Sequence, residues 1–189
     1  MGELKSSPFF SNNAMDEQIY EWCRLAHVAQ NSSLLHKYSR TIIDSCIRGA
    51  SNIETCGSTS VHCNTSSILQ WGRWWSESAL QHYNAVREQL TVTRKGKPPT
   101  HLQITNYREN GKRPWTVEHR YPLNIIKQRV YAGASVEEIY TWIKAYGVAV
   151  IILHTENATL QSYTKTEKEA QDRYQNITIL QHPNFKDIT

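Results

Sequence analysis

Two stretches decide how this chain is read: Thr116-Val117-Glu118-His119-Arg120-Tyr121-Pro122-Leu123 and Val150-Ile151-Ile152-Leu153-His154-Thr155-Glu156-Asn157. Each begins apolar and rich in β-branched residues and then turns polar, the pattern of a strand that meets a loop or a helix. The first puts a carboxylate beside an imidazole, with a proline three residues past the histidine. The second reaches an asparagine. Carboxylate and amide oxygens are hard donors that suit Mg²⁺, and a neutral imidazole takes a proton from water near pH 7. The residue types therefore suit metal-assisted hydrolysis.

Working outward, Leu102 to Tyr107 alternates like a strand, Asn110-Gly111 is a hairpin turn signal, and Trp115 to His119 reads as the returning strand. Ser135-Val136-Glu137-Glu138 is a capping box that opens a helix, which Gly147 closes. Val148 to Leu153 follows as a buried strand, with a helix expected near Thr155. A second capping box, Thr166 to Glu169, predicts a short helix, and Ile177 to Leu180 a last strand. Upstream, a helix is expected from Asp16 and another from about Ser33 to Ile47, stopping before Gly49. A Ser/Thr/Asn/Gly/Cys-rich loop over 49–66 follows, and then a third helix from Ser67 to about Leu90, with Trp71, Trp74 and Trp75 on its inner face. The chain reads as α+β, with a helical N-terminal half (1–93) and a β-containing C-terminal half (94–189), or one continuous domain.

Composition sets bounds. At 189 residues, 39% hydrophobic and 20% charged, the chain buries a core without staples. No apolar run approaches the roughly 20 residues of a membrane span, and the polar first residues lack a signal peptide's apolar segment, so no membrane and a cytoplasmic location are expected. Cys56, His62 and Cys63 lie close together, but reduced thiols are the plainer reading of the four cysteines. The net charge of +4 is unevenly spread. From Arg87 to Arg129 the chain carries Arg87, Arg94, Lys95, Lys97, Arg108, Lys112, Arg113, Arg120, Lys127 and Arg129 against Glu88, Glu109 and Glu118. Such a block favours a polyanionic partner, with Arg94, Lys95, Lys97, Lys112, Arg113, Lys127 and Arg129 as candidate nucleic-acid contacts.

The order hairpin, Glu118-His119-Arg120-Tyr121-Pro122, aliphatic strand, Asn157 resembles the ββα-metal core of HNH endonucleases over roughly residues 102–165. The family's usual first pair is Asp-His; here it is Glu-His, and a helix is inserted before the second strand. The resemblance implies a ββα-metal-like core of hairpin, inserted helix, strand and helix. It makes His119 the general base and Glu118 and Asn157 the ligands of Mg²⁺ or another divalent cation. Arg120 would hold a phosphate oxygen, and Asn124 and His154 would orient or support the site. It implies a DNA endonuclease of the restriction or mobile-element kind, acting as a homodimer if one site per chain cuts both strands. The alternatives are a non-catalytic nucleic-acid-binding regulator and a helical interaction protein.

Overall fold

The computed structural model describes residues 14–33, 37–57, 69, 72–160 and 167–181. The first helix, α1 (Ala14–Asn31), buries Met15, Ile19, Cys23, Ala26 and Ala29, spaced so that they share one face. It packs on α2 (Ser39–Cys56), which buries Ile43, Cys46, Ile47, Ala50 and Ile53. The helix expected to stop before Gly49 runs through it. Gly49 lies against the Trp22 indole, where a Cβ would come within 3.0 Å of the ring, so it permits a close approach rather than ending the helix. The terminator is Gly57, at φ 73°, whose N–H bonds the Ile53 carbonyl. The expected 49–66 loop is therefore helical to Cys56, and 58–66 lies outside the described residues.

The third expected helix is divided. Trp74–Ser76 form a strand, β1, and α3 (Glu77–Thr93) starts only after Ser76, whose hydroxyl accepts the Ala79 N–H. Trp75 is buried on one sheet face and Trp74 faces the other, so the pair alternates as a strand requires and shares no helical face. Trp71 lies outside the described residues.

The expected strand over 102–107 is also corrected, because His101–Thr105 is a short helix, α4. Thr100 and Gln103 close a capping box in which the Thr100 hydroxyl accepts the Gln103 N–H and the Gln103 side chain accepts the Thr100 N–H. Ile104 turns inward and Leu102 outward. The Asn110-Gly111 turn forms, with φ of 50° and 78°, and bridges only Glu109 and Lys112. The partner of β2 (Trp115–His119) comes from much later in the chain.

That partner is β3 (Ala149–Leu153), antiparallel to β2 after α5 (Leu123–Tyr131) and α6 (Val136–Tyr146). Ser135 caps α6 and Gly147 ends it, as the sequence predicts. Short helices α7 (His154–Thr159) and α8 (Glu167–Asp172) precede β4 (Ile179–Gln181). The proposed cap residue Thr166 lies outside the described residues. The sheet order is β2-β3-β1-β4, with β1 parallel to β3 and antiparallel to β4.

The architecture is thus α+β with a helical N-terminal half, and its sheet draws strands from both sides of residue 93. One sheet face, with Trp75, Trp115, Ala149 and Ile151, packs under α3 and α4. The other, with Val148, Val150 and Ile152, is covered by Leu160 and Tyr174. A third apolar cluster joins α1 and α2 to α5 and α6. Near it the buried Glu54 carboxylate takes Lys144 at 2.6 Å, and Lys144 also reaches Asp16 at 2.9 Å. Among the described residues no helix is long and apolar enough to cross a membrane.

Candidate functional site

The β2–β3 register positions Glu118 and His119 of the expected metal site. Glu118 pairs with Val150 and Thr116 with Ile152, so Glu118 projects to the sheet face covered by Tyr174. His119 pairs with Ala149 and belongs to the opposite face. Adjacent in sequence, the two side chains diverge across the sheet.

Asn157 lies at the other end of the hairpin. In the antiparallel register His119 stands opposite Ala149, the start of β3, while Leu153, its end, stands opposite Trp115. Four residues of strand at about 3.4 Å each separate these ends by about 14 Å. α7 begins at the far end, where the His154 N–H bonds the Pro114 carbonyl at 2.9 Å. The next three residues, to Asn157, advance only about 4–5 Å along a helix. The structure therefore groups Arg120 and the exposed Asn124 with the Glu118–His119 end, and His154 with Asn157 at the opposite one.

At this end the Glu118 carboxylate is already engaged. Arg173 Nη1 donates to Glu118 Oε1 at 2.9 Å and to the His119 carbonyl at 3.4 Å. Arg173 is 8% exposed and Glu118 30%. Burial, then the nearby Arg48, Arg173 and Lys127 cations, pull the His119 pKa down from 6.5 to about 4. The ring is neutral at pH 7, but a base that weak has lost most of its driving force for proton abstraction. A divalent cation needs its oxygen donors around one point at about 2.0–2.1 Å for Mg²⁺. With Glu118 held by a guanidinium, cations flanking His119 and Asn157 across the hairpin, these residues do not fit a shared Mg²⁺. Arg173, absent from the sequence reading, comes from a segment 54 residues downstream of His119, and no local motif marks it.

The basic block divides by environment. Lys127 pairs with Asp44, and the Arg129 guanidinium stacks 4.6 Å from the Trp142 ring centroid. Both therefore serve the packing of α5 rather than the expected nucleic-acid surface. Arg94 bonds the Pro98 carbonyl, and Arg108 the Thr105 and Tyr107 carbonyls. Among the described residues no ion pair involves Arg87, Lys95, Lys97, Lys112 or Arg113. All but the half-buried Arg113 are exposed.

Arg87 lies on α3, Lys95 and Lys97 between α3 and α4, and Lys112 and Arg113 in the turn after α4. Lys95 and Gly96, both with positive φ, turn the chain out of α3. His82 on α3 bonds Glu109 at 2.9 Å, which sets the turn bearing Lys112 beside the early turns of that helix. From His82 to Arg94 is about 18 Å at 1.5 Å per residue, the span between the turn bearing Lys112 and the end of α3 that precedes Lys95. Val92 and Leu102, 78% and 67% exposed, lie in the same segment. No protein family, curated protein or solved structure matches this chain.

Proposed function

We propose that this protein binds nucleic acid through the lobe formed by the end of α3, α4 and the turn at 109–113. The observation that carries this reading is the set of five cations without a carboxylate partner among the described residues: Arg87 on α3, Lys95 and Lys97 just past its end, and Lys112 and Arg113 in the turn held to its early part by the His82–Glu109 bond. Duplex DNA presents one negative charge per roughly 1.7 Å of axis, so several phosphates lie within reach of such a run. Phosphate contacts fix affinity and register without reading sequence. The exposed Val92 and Leu102 add apolar contact beside the cations, which suits sugar and base surfaces better than a purely ionic partner. The reading requires no catalytic step.

The test is fluorescence anisotropy with labelled duplex and single-stranded oligonucleotides over a salt series. Binding that weakens steeply with salt, and that Lys95→Ala with Lys97→Ala reduces, supports the proposal. Salt-independent binding, or affinity unchanged in that variant, overturns it. The endonuclease reading of Glu118-His119 has its own readout on the same samples, plasmid nicking with Mg²⁺ against EDTA. Metal-dependent cutting that His119→Ala abolishes would replace the binding reading with a hydrolytic one, and two protomers per duplex would then point to the expected dimer.

A further inference from the structure

A cavity of about 390 Å³ opens at α1 and α6, lined by Tyr20, Glu137, Glu138, Tyr140, Thr141 and Trp142. Its chemistry is opposite to that of the basic lobe. Among the described residues that line it, three of six are aromatic and the charged ones are two glutamates, with the Arg129 guanidinium nearby, 4.6 Å from the Trp142 ring centroid. From this combination we infer that the cavity is a binding site for a small methylated or quaternary ammonium group.

The walls are suited to such a cation. The Tyr20 and Tyr140 rings meet edge to face, centroids 5.9 Å apart at 65°. Aromatic faces carry negative quadrupole density that attracts a cation, most strongly on indole. Trp142 already exercises that property, since it holds the Arg129 guanidinium within 4.6 Å of its ring centroid. The carboxylates are held in position by the chain itself. Tyr20 Oη donates to Glu137 Oε1 at 3.0 Å, and Glu138 Oε2 accepts the Ser135 N–H at 2.8 Å in the α6 capping box. Preorganised groups lose little freedom when a ligand arrives.

Size and hydration select the class of cation. A bare metal ion needs an oxygen shell at about 2.0–2.6 Å, which ring walls do not supply. A methylated ammonium has an apolar surface and prefers aromatic walls with negative charge at the rim. The volume is near the lower end of the roughly 300–1,000 Å³ of small-molecule pockets, suited to a head group of a few heavy atoms. Asp16, which faces Tyr140, is neutralised by Lys144, so Glu137 and Glu138 supply the rim charge.

The experiment is a calorimetric titration of the full chain with choline, with its uncharged isostere 3,3-dimethylbutan-1-ol and with a trimethyl-lysine peptide. Choline is expected to bind saturably and the isostere about tenfold more weakly or less. Glu138→Gln keeps the capping box, because glutamine serves at that position, and is expected to lower choline affinity about fivefold with unchanged melting temperature. Trp142→Leu is expected to abolish binding. Equal binding of choline and its isostere, full affinity in Glu138→Gln, or no saturable choline or peptide binding overturns the proposal. The tighter of choline and peptide identifies the source as a free metabolite or a modified protein segment; either supports the site.

Discussion

At the scale of single residues, the Glu118–His119 pair is governed by its neighbours. The folded protein keeps His119 neutral down to about pH 4, whereas the unfolded chain protonates it near 6.5. The contribution to stability is full above pH 6.5 and is lost as pH falls from there through about 4, since only the unfolded state gains the proton in that window. The shift corresponds to about 3 kcal/mol. Urea denaturation across this range should show the parent losing stability more steeply than His119→Gln; equal slopes would assign the effect elsewhere. Glu118 is expected to matter through Arg173. Glu118→Gln removes the counter-charge of a guanidinium that is 8% exposed, and should cost about 2 kcal/mol, less than a fully buried pair because Glu118 keeps some solvent. Replacing both residues by methionine should recover much of that loss, as measured by the denaturation midpoint.

At the scale of elements, caps and close approaches define the boundaries. Gly147 ends α6, and its carbonyl accepts the buried Ser51 hydroxyl of α2. A Cβ there would stand 2.9 Å from the Ile143 backbone. Gly147→Ala is therefore expected to destabilise by about 2 kcal/mol, outweighing any gain in backbone entropy. A melting temperature equal to or above the parent's would show that the α6–β3 junction relaxes. Ser76 is the other joint. Its hydroxyl accepts the Ala79 N–H at the start of α3 and donates to Glu156 at 2.6 Å, and Glu156 also accepts the Leu153 N–H. Ser76→Ala should cost about 1–2 kcal/mol in the same assay.

At the scale of the whole molecule, charge is segregated. The segment 87–113 carries seven basic residues, Arg87, Arg94, Lys95, Lys97, Arg108, Lys112 and Arg113, against Glu88 and Glu109. Its excess of positive charge exceeds the net +4 of the entire chain, so the remainder is close to neutral. If all five cations without a carboxylate partner among the described residues meet phosphates, the logarithm of duplex affinity should fall with the logarithm of salt concentration with a slope of about −4.5. Lys95→Ala with Lys97→Ala should reduce that slope by about 2, while Glu118→Gln leaves it unchanged. A slope near zero would remove the lobe from consideration as a phosphate surface.

Features with a local cause were legible from the chain alone. Ser135-x-x-Glu138 and Gly147 bounded α6, the apolar run marked β3, and Asn110-Gly111 marked a turn with positive φ. Thr100-x-x-Gln103 is equally local, but the Leu102/Ile104 alternation beside it is common to a strand and a single helical turn and pointed to a strand. The basic segment was visible as composition. Which of its cations remain available was not, since Asp44 and Trp142, which engage Lys127 and Arg129, are set beside α5 only by packing. The metal-site expectation turned on the same limit. Sequence order is the same whether Asn157 folds back toward Glu118 or ends at the opposite edge of the hairpin; only the β2–β3 register decides. Arg173 reaches Glu118 because the chain after β3 returns over the Val150–Ile152 face, a long-range packing outcome with no local signal in the sequence.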